Sequence, residues 1–345
     1  MSLDIPEFAD VDALEDHLSE PGVQLVEDLS QVPGDILVLG AGGKMGPTLA
    51  VMARKALDSA GSGARVLAVA RFSDPAVRER LETRGVTTVP CDLLDADAVR
   101  NLPDAPNVLF MAGMKFGASG NPALTWAMNA LVPAIVAERY SDSRIVVFSS
   151  GNIYPFVDID SGGASEEMLP GPLGEYAQSV LARERMFDYF AHREGTNILQ
   201  YRLNYAVEPR YGVPVDLALK LMNDDPIDLS MGYVNLIWQR DANEIALRSL
   251  ARTANPPAIL NITGRSTHPV RELAKSLGNR LGREPVFMGR EKPVALLSNA
   301  SLCSEWFGEP VTSLDAMLDA IADWIGKDGV TLGKPTKFQV RDGSF

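Results

Sequence analysis

The stretch Leu37-Val38-Leu39-Gly40-Ala41-Gly42-Gly43-Lys44-Met45-Gly46 decides how the rest of the chain is read. A short apolar run, Ile36 to Leu39, stops at glycines, and a helix-compatible run from Pro47 to Leu57 comes next. That order is strand, tight turn, helix start. A helix start leaves backbone N–H groups unpaired and concentrates partial positive charge, which suits a diphosphate. Gly40 serves the turn, Gly43 the close approach of backbone to phosphate, and Gly46 the packing of helix on strand. Alone, the pattern fits a ligand-free glycine-rich connection equally well, so the residues downstream of Gly46 decide between the two.

Downstream, strand-like and helix-like runs alternate. Runs at Arg65–Ala70, Val86–Val89, Asn107–Ala112, Arg144–Phe148 and Asn197–Arg202 read as strands. Between them Asp74–Arg84, Ala96–Leu102, Ala123–Tyr140 and Tyr176–Glu194 read as helices. Continuous apolar strands alternating with helices predict an α/β fold: a Rossmann-type doubly wound parallel sheet with helices on both faces. After Tyr205 the pattern loosens around Pro209, Pro214 and Pro226, then returns to a helix at Asp241–Ala251, a strand at Ala258–Ile262, and helices at Pro269–Leu281 and Leu314–Ile325. The expected organisation has four parts. They are an acidic extension (1–33), a dinucleotide-binding domain (34–205 plus roughly 240–263), a smaller mixed substrate region (206–239 plus 264–333) and a polar tail, surface-bound or loose (334–345). Within the extension, Val11, Leu14 and Leu18 predict a short amphipathic helix capped by Asp10 or Asp12.

Composition excludes several classes. A net charge of −13 argues against a general nucleic-acid binder, which needs a basic footprint. No apolar run reaches the roughly 20 residues of a membrane span, and Met1-Ser2-Leu3-Asp4 does not open a secretory signal. Two cysteines, Cys91 and Cys303, and three scattered histidines give neither a disulfide framework nor a metal site. The expectation is a cytoplasmic protein with a small-molecule substrate and no metal.

Gly40-x-x-Gly43-x-x-Gly46, Cys91-Asp92-Leu93, Met111-Ala112-Gly113, the 148–154 run and Tyr176, in order over roughly residues 35–265, together resemble the extended short-chain dehydrogenase/reductases, the NAD-dependent epimerase/dehydratase group acting mostly on nucleotide sugars. The resemblance implies a dinucleotide held by Gly40, Gly42, Gly43, Lys44, Met45 and Gly46. Cys91-Asp92-Leu93 looks like the adenine site, and Met111-Ala112-Gly113 like the strand end beneath the nicotinamide ribose. Asn129 matches an asparagine that stabilises the active-site backbone. Phe148-Ser149-Ser150-Gly151-Asn152-Ile153-Tyr154 is similar to the segment carrying the catalytic serine, here Ser150. Ser149 then falls to the cofactor, and Asn152 and Tyr154 to the substrate. Glu166-x-x-x-Pro170-x-Pro172-x-x-x-Tyr176 resembles the approach to the catalytic tyrosine. A homodimer through Ala123–Tyr140 and Tyr176–Glu194 is a further implication.

One departure matters. The family has a lysine four residues after the tyrosine, which lowers its pKa and binds the nicotinamide ribose; here that position is Val180. Three explanations stay open: another cation substitutes, the protein binds cofactor without turnover, or Tyr154 or Lys115 acts instead of Tyr176. Lys115, after the Met111–Gly113 strand end, is the preferred substitute and candidate acid/base, ahead of Arg183, which lies nearly two turns beyond Tyr176.

At the end of the second strand, Val69-Ala70-Arg71-Phe72-Ser73 lacks the acidic residue that selects NAD, so Arg71, aided by Lys44, favours NADP over NAD. Arg202-Leu203-Asn204-Tyr205 resembles an Arg-x-x-Asn stretch with Asn204 one residue early, and Arg240 and Arg210 are candidates for an anionic substrate. Asp241 is expected to cap its helix. The function implied is an NAD(P)-dependent oxidoreductase, epimerase or dehydratase on a sugar-like or nucleotide-sugar hydroxyl. The alternative is a catalytically degenerate NAD(P)-binding sensor or structural protein of the same fold.

Overall fold

Seven apolar runs become parallel strands: β1 (Ile36–Leu39), β2 (Val66–Ala70), β3 (Thr87–Pro90), β4 (Asn107–Phe110), β5 (Arg144–Ser150), β6 (Asn197–Leu203) and β7 (Ala258–Ile262). In this computed structural model, which describes residues 5–115 and 120–344, they form one sheet in the order β7-β6-β5-β4-β1-β2-β3. Met1–Asp4, residues 116–119 and Phe345 lie outside the described residues, and with them the reading of the extreme N-terminus. All pairings within the sheet are parallel. Every residue of β1 and β4 is buried, as continuous apolar strands covered on both faces must be. The order reverses between β1 and β4, so a crevice opens there at the carboxyl ends of the strands.

One apolar core lies on each face of the sheet. A third gathers Val180, Trp238, Leu273, Ile321 and Phe338 with Phe8, Leu14 and Leu18, so both ends of the chain join the region after Tyr205. Burial of each such aliphatic side chain contributes about 1.5–3 kcal/mol. At the N-terminus Asp10 caps Val11–Leu18, accepting from Ala13 N at 2.8 Å. A second helix, Val23–Ser30, was not expected. Both pack on the Gly46–Ser59 helix.

Three expectations are corrected and a fourth is narrowed. Ala123–Tyr140 is not one regular helix: Pro122–Trp126 and Val132–Arg139 flank a π-turn at Ala127–Leu131. Pro133 lacks the N–H that would pair with the Asn129 carbonyl, and its ring crowds that carbonyl, so the turn widens there. The segment after Pro209 holds a helix, Val213–Met222, with Pro214 in its first turn, where proline is compatible with helix. Asp241 does not cap: the helix spans Gln239–Arg248, and Asp241 Oδ2 accepts from Thr312 N at 3.0 Å. Of its two alternatives the tail takes the bound one, which narrows the fourth expectation. Leu332 N donates to Arg210 O, Thr336 binds Asp216, Phe338 is buried, and Arg341 donates to Ser230 O and Val294 O.

Candidate active site

The glycine turn sits against the end of β4. Gly40 has φ of 89°, and a Cβ there would lie 2.6 Å from Ala112 N, so both conformation and space require glycine. Two connected chambers flank this contact. The outer, about 530 Å³, is lined by Gly40, Gly42, Gly43, Arg71, Leu93 and Ala112 among others. The inner, about 380 Å³, includes Lys44, Met45, Ser150, Asn152, Tyr176 and Asn204 in its lining. Met111, Gly113 and Lys115 face both. An adenosine end fits the outer chamber and a reactive end the inner, with the turn's backbone between. The glycine cradle that a Cβ would fill is the observation that makes the residues fit a dinucleotide.

Around Tyr176 the sequence expectations meet. Its hydroxyl is hydrogen-bonded to Ser150. Burial raises the phenol above its ordinary pKa, and the Arg183 guanidinium and the Ser150 hydroxyl oppose that rise. Val180 is fully buried and belongs to the third core. One cation beside the tyrosine is Arg183. One Nη donates to Phe148 O and the other to Asn129 Oδ1 at 2.7 Å, leaving Nε unpartnered among the described residues. Asn129, fully buried at the π-turn, also accepts from Met114 N at 2.9 Å and donates to Met114 O and Ser179 Oγ at 3.0 Å. A Cβ on Gly113 would collide with Arg183, so this glycine is the gap through which the guanidinium reaches the chamber. Burial brings Arg183 down to about 10, with Tyr176 and Glu184 opposing.

Lys115 is also present. Its Nζ lies 6.0 Å from the Tyr176 ring centre and 3.5 Å from Thr336 O, and burial lowers it to about 8 against the pull of Asp216. Both cations therefore lie near Tyr176: the Arg183 guanidinium lowers the phenol's pKa, and the Lys115 ammonium sits over its ring.

The other expected residues divide. Asn152 and Asn204 line the inner chamber, Asn152 Nδ2 donating to Ser150 Oγ at 3.2 Å. Ser149 lines it too, but its hydroxyl is donated to Glu184, which pairs with Arg202 at 2.8 Å in a buried network behind the site. Tyr154 belongs to that network and not to the chamber: its hydroxyl donates to Asn261 Oδ1 at 2.9 Å and accepts from Arg202 at 2.6 Å. Leu93 lines the outer chamber; Asp92 beside it is exposed and accepts from Leu94 N. Arg71 lies at the far end of that chamber. Lys44 does not join it. Its Nζ turns inward, donating to Ala206 O at 2.9 Å, 4.1 Å from the Tyr211 ring centre, so the expected second charge near a 2′-phosphate is absent. Arg240 and Arg210 are corrected as well: Arg240 Nε donates to Glu20 O, and Arg210 is bound by Glu208 and Glu15, which leaves neither guanidinium for a substrate. Missed altogether were Tyr205, Tyr211, Lys334 and Thr336, which close the inner chamber. They lie in irregular segments whose spacing carries no periodicity.

No protein-family model matches the sequence, and no curated protein matches it. Solved structures do. The UDP-glucose 4-epimerase of Thermotoga maritima, solved with UDP-glucose, superposes with a TM-score of 0.71 at 18% identity, covering 85% of this chain and 99% of that one. The UDP-glucuronic acid 4-epimerase of Bacillus cereus, with UDP-glucuronic acid and NAD, gives 0.70 at 19%, covering 85% and 99%. The Thermus thermophilus UDP-glucose 4-epimerase, with NAD, gives 0.68 at 20%, covering 84% and 98%. This chain has their fold. The doubly wound sheet expected from the sequence is the architecture they share. Among the described residues no helix is long and apolar enough to cross a membrane, and no group of three His, Cys, Asp or Glu is placed to hold a metal ion.

Proposed function

We propose that this chain is a nicotinamide-dependent enzyme of the extended short-chain dehydrogenase/reductase kind. It would oxidise a carbinol or reduce a carbonyl on a sugar-like substrate, as the first step of an oxidoreductase, epimerase or dehydratase reaction. The observation that carries the reading is the Ser150–Tyr176 hydroxyl pair with Arg183 behind it, at the mouth of a glycine-built crevice. The turn at Gly40–Gly46 and the Met111–Gly113 strand end would hold the dinucleotide, and a nicotinamide bound there supplies the hydride acceptor or donor. Tyr176 takes or gives the hydroxyl proton, which at neutral pH requires the phenolate to be favoured by nearby positive charge. Arg183 supplies that charge, and Ser150 orients the substrate oxygen through its hydroxyl. Lys115, held partly neutral near pH 8, is a second proton carrier at the same chamber.

The alternative of a cofactor-binding protein without turnover rests on Val180. Against it stands Arg183, whose guanidinium acts on Tyr176 and would supply the missing cation from another position. For the cofactor we favour NADP, because Arg71 directly follows β2 and the nearby Asp74 is spent on capping the next helix, accepting from Ala76 N at 3.0 Å. The three similar epimerase structures hold NAD or UDP-sugars, so the NAD alternative is tested directly. The assembly proposed is a homodimer through the Trp126–Leu131 and Tyr189 faces, which expose large apolar side chains.

The test is a dinucleotide titration by calorimetry, then a panel of hydroxylated sugars and sugar nucleotides read by reduced-nicotinamide absorbance. Turnover that drops about 10²-fold or more in Tyr176→Phe supports the enzyme. A bound dinucleotide with no turnover across the panel supports the non-catalytic reading. Equal affinity for NAD and NADP defeats the NADP preference, and a monomer by light scattering defeats the dimer.

A further inference from the structure

The chain carries a net charge of −13, yet the described lining of its inner chamber contains Lys44, Lys115, Arg183 and Lys334 and no Asp or Glu. Lys44 is the informative member. It belongs to the glycine turn, whose backbone faces a diphosphate, but its side chain swings away from that groove and into the chamber beside Tyr176. Its partners there are neutral: the Ala206 carbonyl at 2.9 Å and the Tyr211 ring face at 4.1 Å. Among the described residues no carboxylate lies within ion-pairing distance of it. Glu208, the acid that acts on it most strongly, is fully buried and committed to Arg210, accepting from its backbone N at 2.8 Å and pairing with its Nε at 3.2 Å. Asp216 is held by Thr336, whose N and Oγ both donate to it.

A partly buried ammonium whose nearest partners are neutral gains from an anion that completes it. Burial already lowers Lys44 to about 7, with Lys115 adding to the effect. We propose that the substrate is itself anionic, and that Lys44 holds its carboxylate or phosphate group beside the Tyr176 hydroxyl. This rests on the dinucleotide reading above and gives Lys44 to the substrate instead of the cofactor diphosphate. The adjacent Lys115 and Lys334 extend the same positive field, the latter brought in by the C-terminal strap that Thr336 and Phe338 fasten.

The experiment uses the full chain saturated with NADPH, or with NAD if that binds instead, at fixed ionic strength. Malonate, inorganic phosphate and neutral glycerol are titrated by calorimetry into wild type, Lys44→Met and Lys44→Arg. Saturable binding of malonate or phosphate but not glycerol is expected, and which of the two binds identifies a carboxylate or a phosphate. Lys44→Met should weaken it at least about tenfold, the low end of a charge-assisted hydrogen bond, while Lys44→Arg retains most of it. Dinucleotide affinity should stay within about threefold in all three proteins, which also shows that they are folded. The proposal is overturned if neither anion saturates, if Lys44→Met binds it as wild type does, or if that variant loses dinucleotide in equal proportion. A wild type that binds no dinucleotide defeats the enzyme reading, a result obtained before any anion is added. The anion titration then proceeds on the chain alone, with the same two outcomes for Lys44.

Discussion

Arg183→Met removes the cation behind Tyr176 while keeping an unbranched side chain in its channel. The guanidinium acts on Tyr176, lowering a phenol pKa that burial raises. An opposite charge close enough to act on a titrating group typically moves its pKa by about 1–3 units, or about 1.4–4 kcal/mol. Without the guanidinium the tyrosine should then titrate about two units higher, the middle of that range. In an enzyme limited by the phenolate fraction, that is a loss of about 10²-fold at neutral pH, with the rising limb of the pH–rate profile displaced by the same amount. Folding should also suffer, because Phe148 O loses its donor, an unmet buried acceptor costing about 1–3 kcal/mol. Removing Arg183's own desolvation offsets part of this. The assay requires no substrate. Tyrosine labelled with carbon-13 at Cζ is titrated by NMR, Tyr176→Phe identifies the resonance, and wild type is compared with Arg183→Met and Arg183→Lys. A Tyr176 resonance whose titration is unchanged or moves to lower pH in Arg183→Met refutes the assignment of Arg183 as the charge partner.

Three further outcomes are expected. Val180→Lys should destabilise the wild type by on the order of 3 kcal/mol, since it puts an unpaired ammonium into an apolar core next to Arg183. In the Arg183→Met background the cost should be smaller by at least about 1 kcal/mol; denaturant melts of the four proteins measure this coupling, and strict additivity refutes it. Gly113→Ala should cost about 1–3 kcal/mol by denaturant midpoint and weaken dinucleotide binding, because the new methyl displaces Arg183. His17, packed on Phe8 and Trp238, is lowered from 6.5 to about 4 by burial and Arg240, with Glu20 opposing. The unfolded chain therefore binds the extra proton between those values, so this contribution is full above pH 6.5 and is lost as pH falls toward 4. His17→Gln should flatten that part of the stability–pH curve; an unchanged slope rejects the idea.

The sheet was legible because its cause is local. Apolar runs such as Ile36–Leu39 and Asn107–Phe110 can be buried only between two helical layers, and the glycine turn marks where the first one ends. The parts that were not legible depend on contacts distant in sequence. Nothing near Lys44 indicates that its ammonium turns toward Ala206, 162 residues away, instead of toward Arg71. The polar composition of the tail left a surface-bound and a loose end both open; two buried residues, Phe338 and Thr336, the latter paired with Asp216, fasten it across the chamber. Arg240 and Arg210 resembled ligands because their partners, Glu20, Glu15 and Glu208, come from the N-terminal extension and an irregular loop.

Helix geometry bears on Val180. At about 100° per residue, position i+4 lies about 40° from Tyr176 around the helix, whereas i+7 lies about 20° from it. Arg183 thus shares the tyrosine's face more closely than Val180 does, and lies farther along the axis. Helical side chains lean toward the N-terminus, and arginine is long enough to use that lean to reach back up the helix. The reach requires a channel, which three features provide. Gly113 leaves the gap, Asn129 fixes one Nη while its π-turn holds the Met114 backbone, and the end of β5 offers the Phe148 carbonyl to the other. With the charge delivered from i+7, a lysine at i+4 would duplicate it at the cost of the core contacts that Val180 makes. On the reading proposed above, Val180 is then the core-side complement of Arg183.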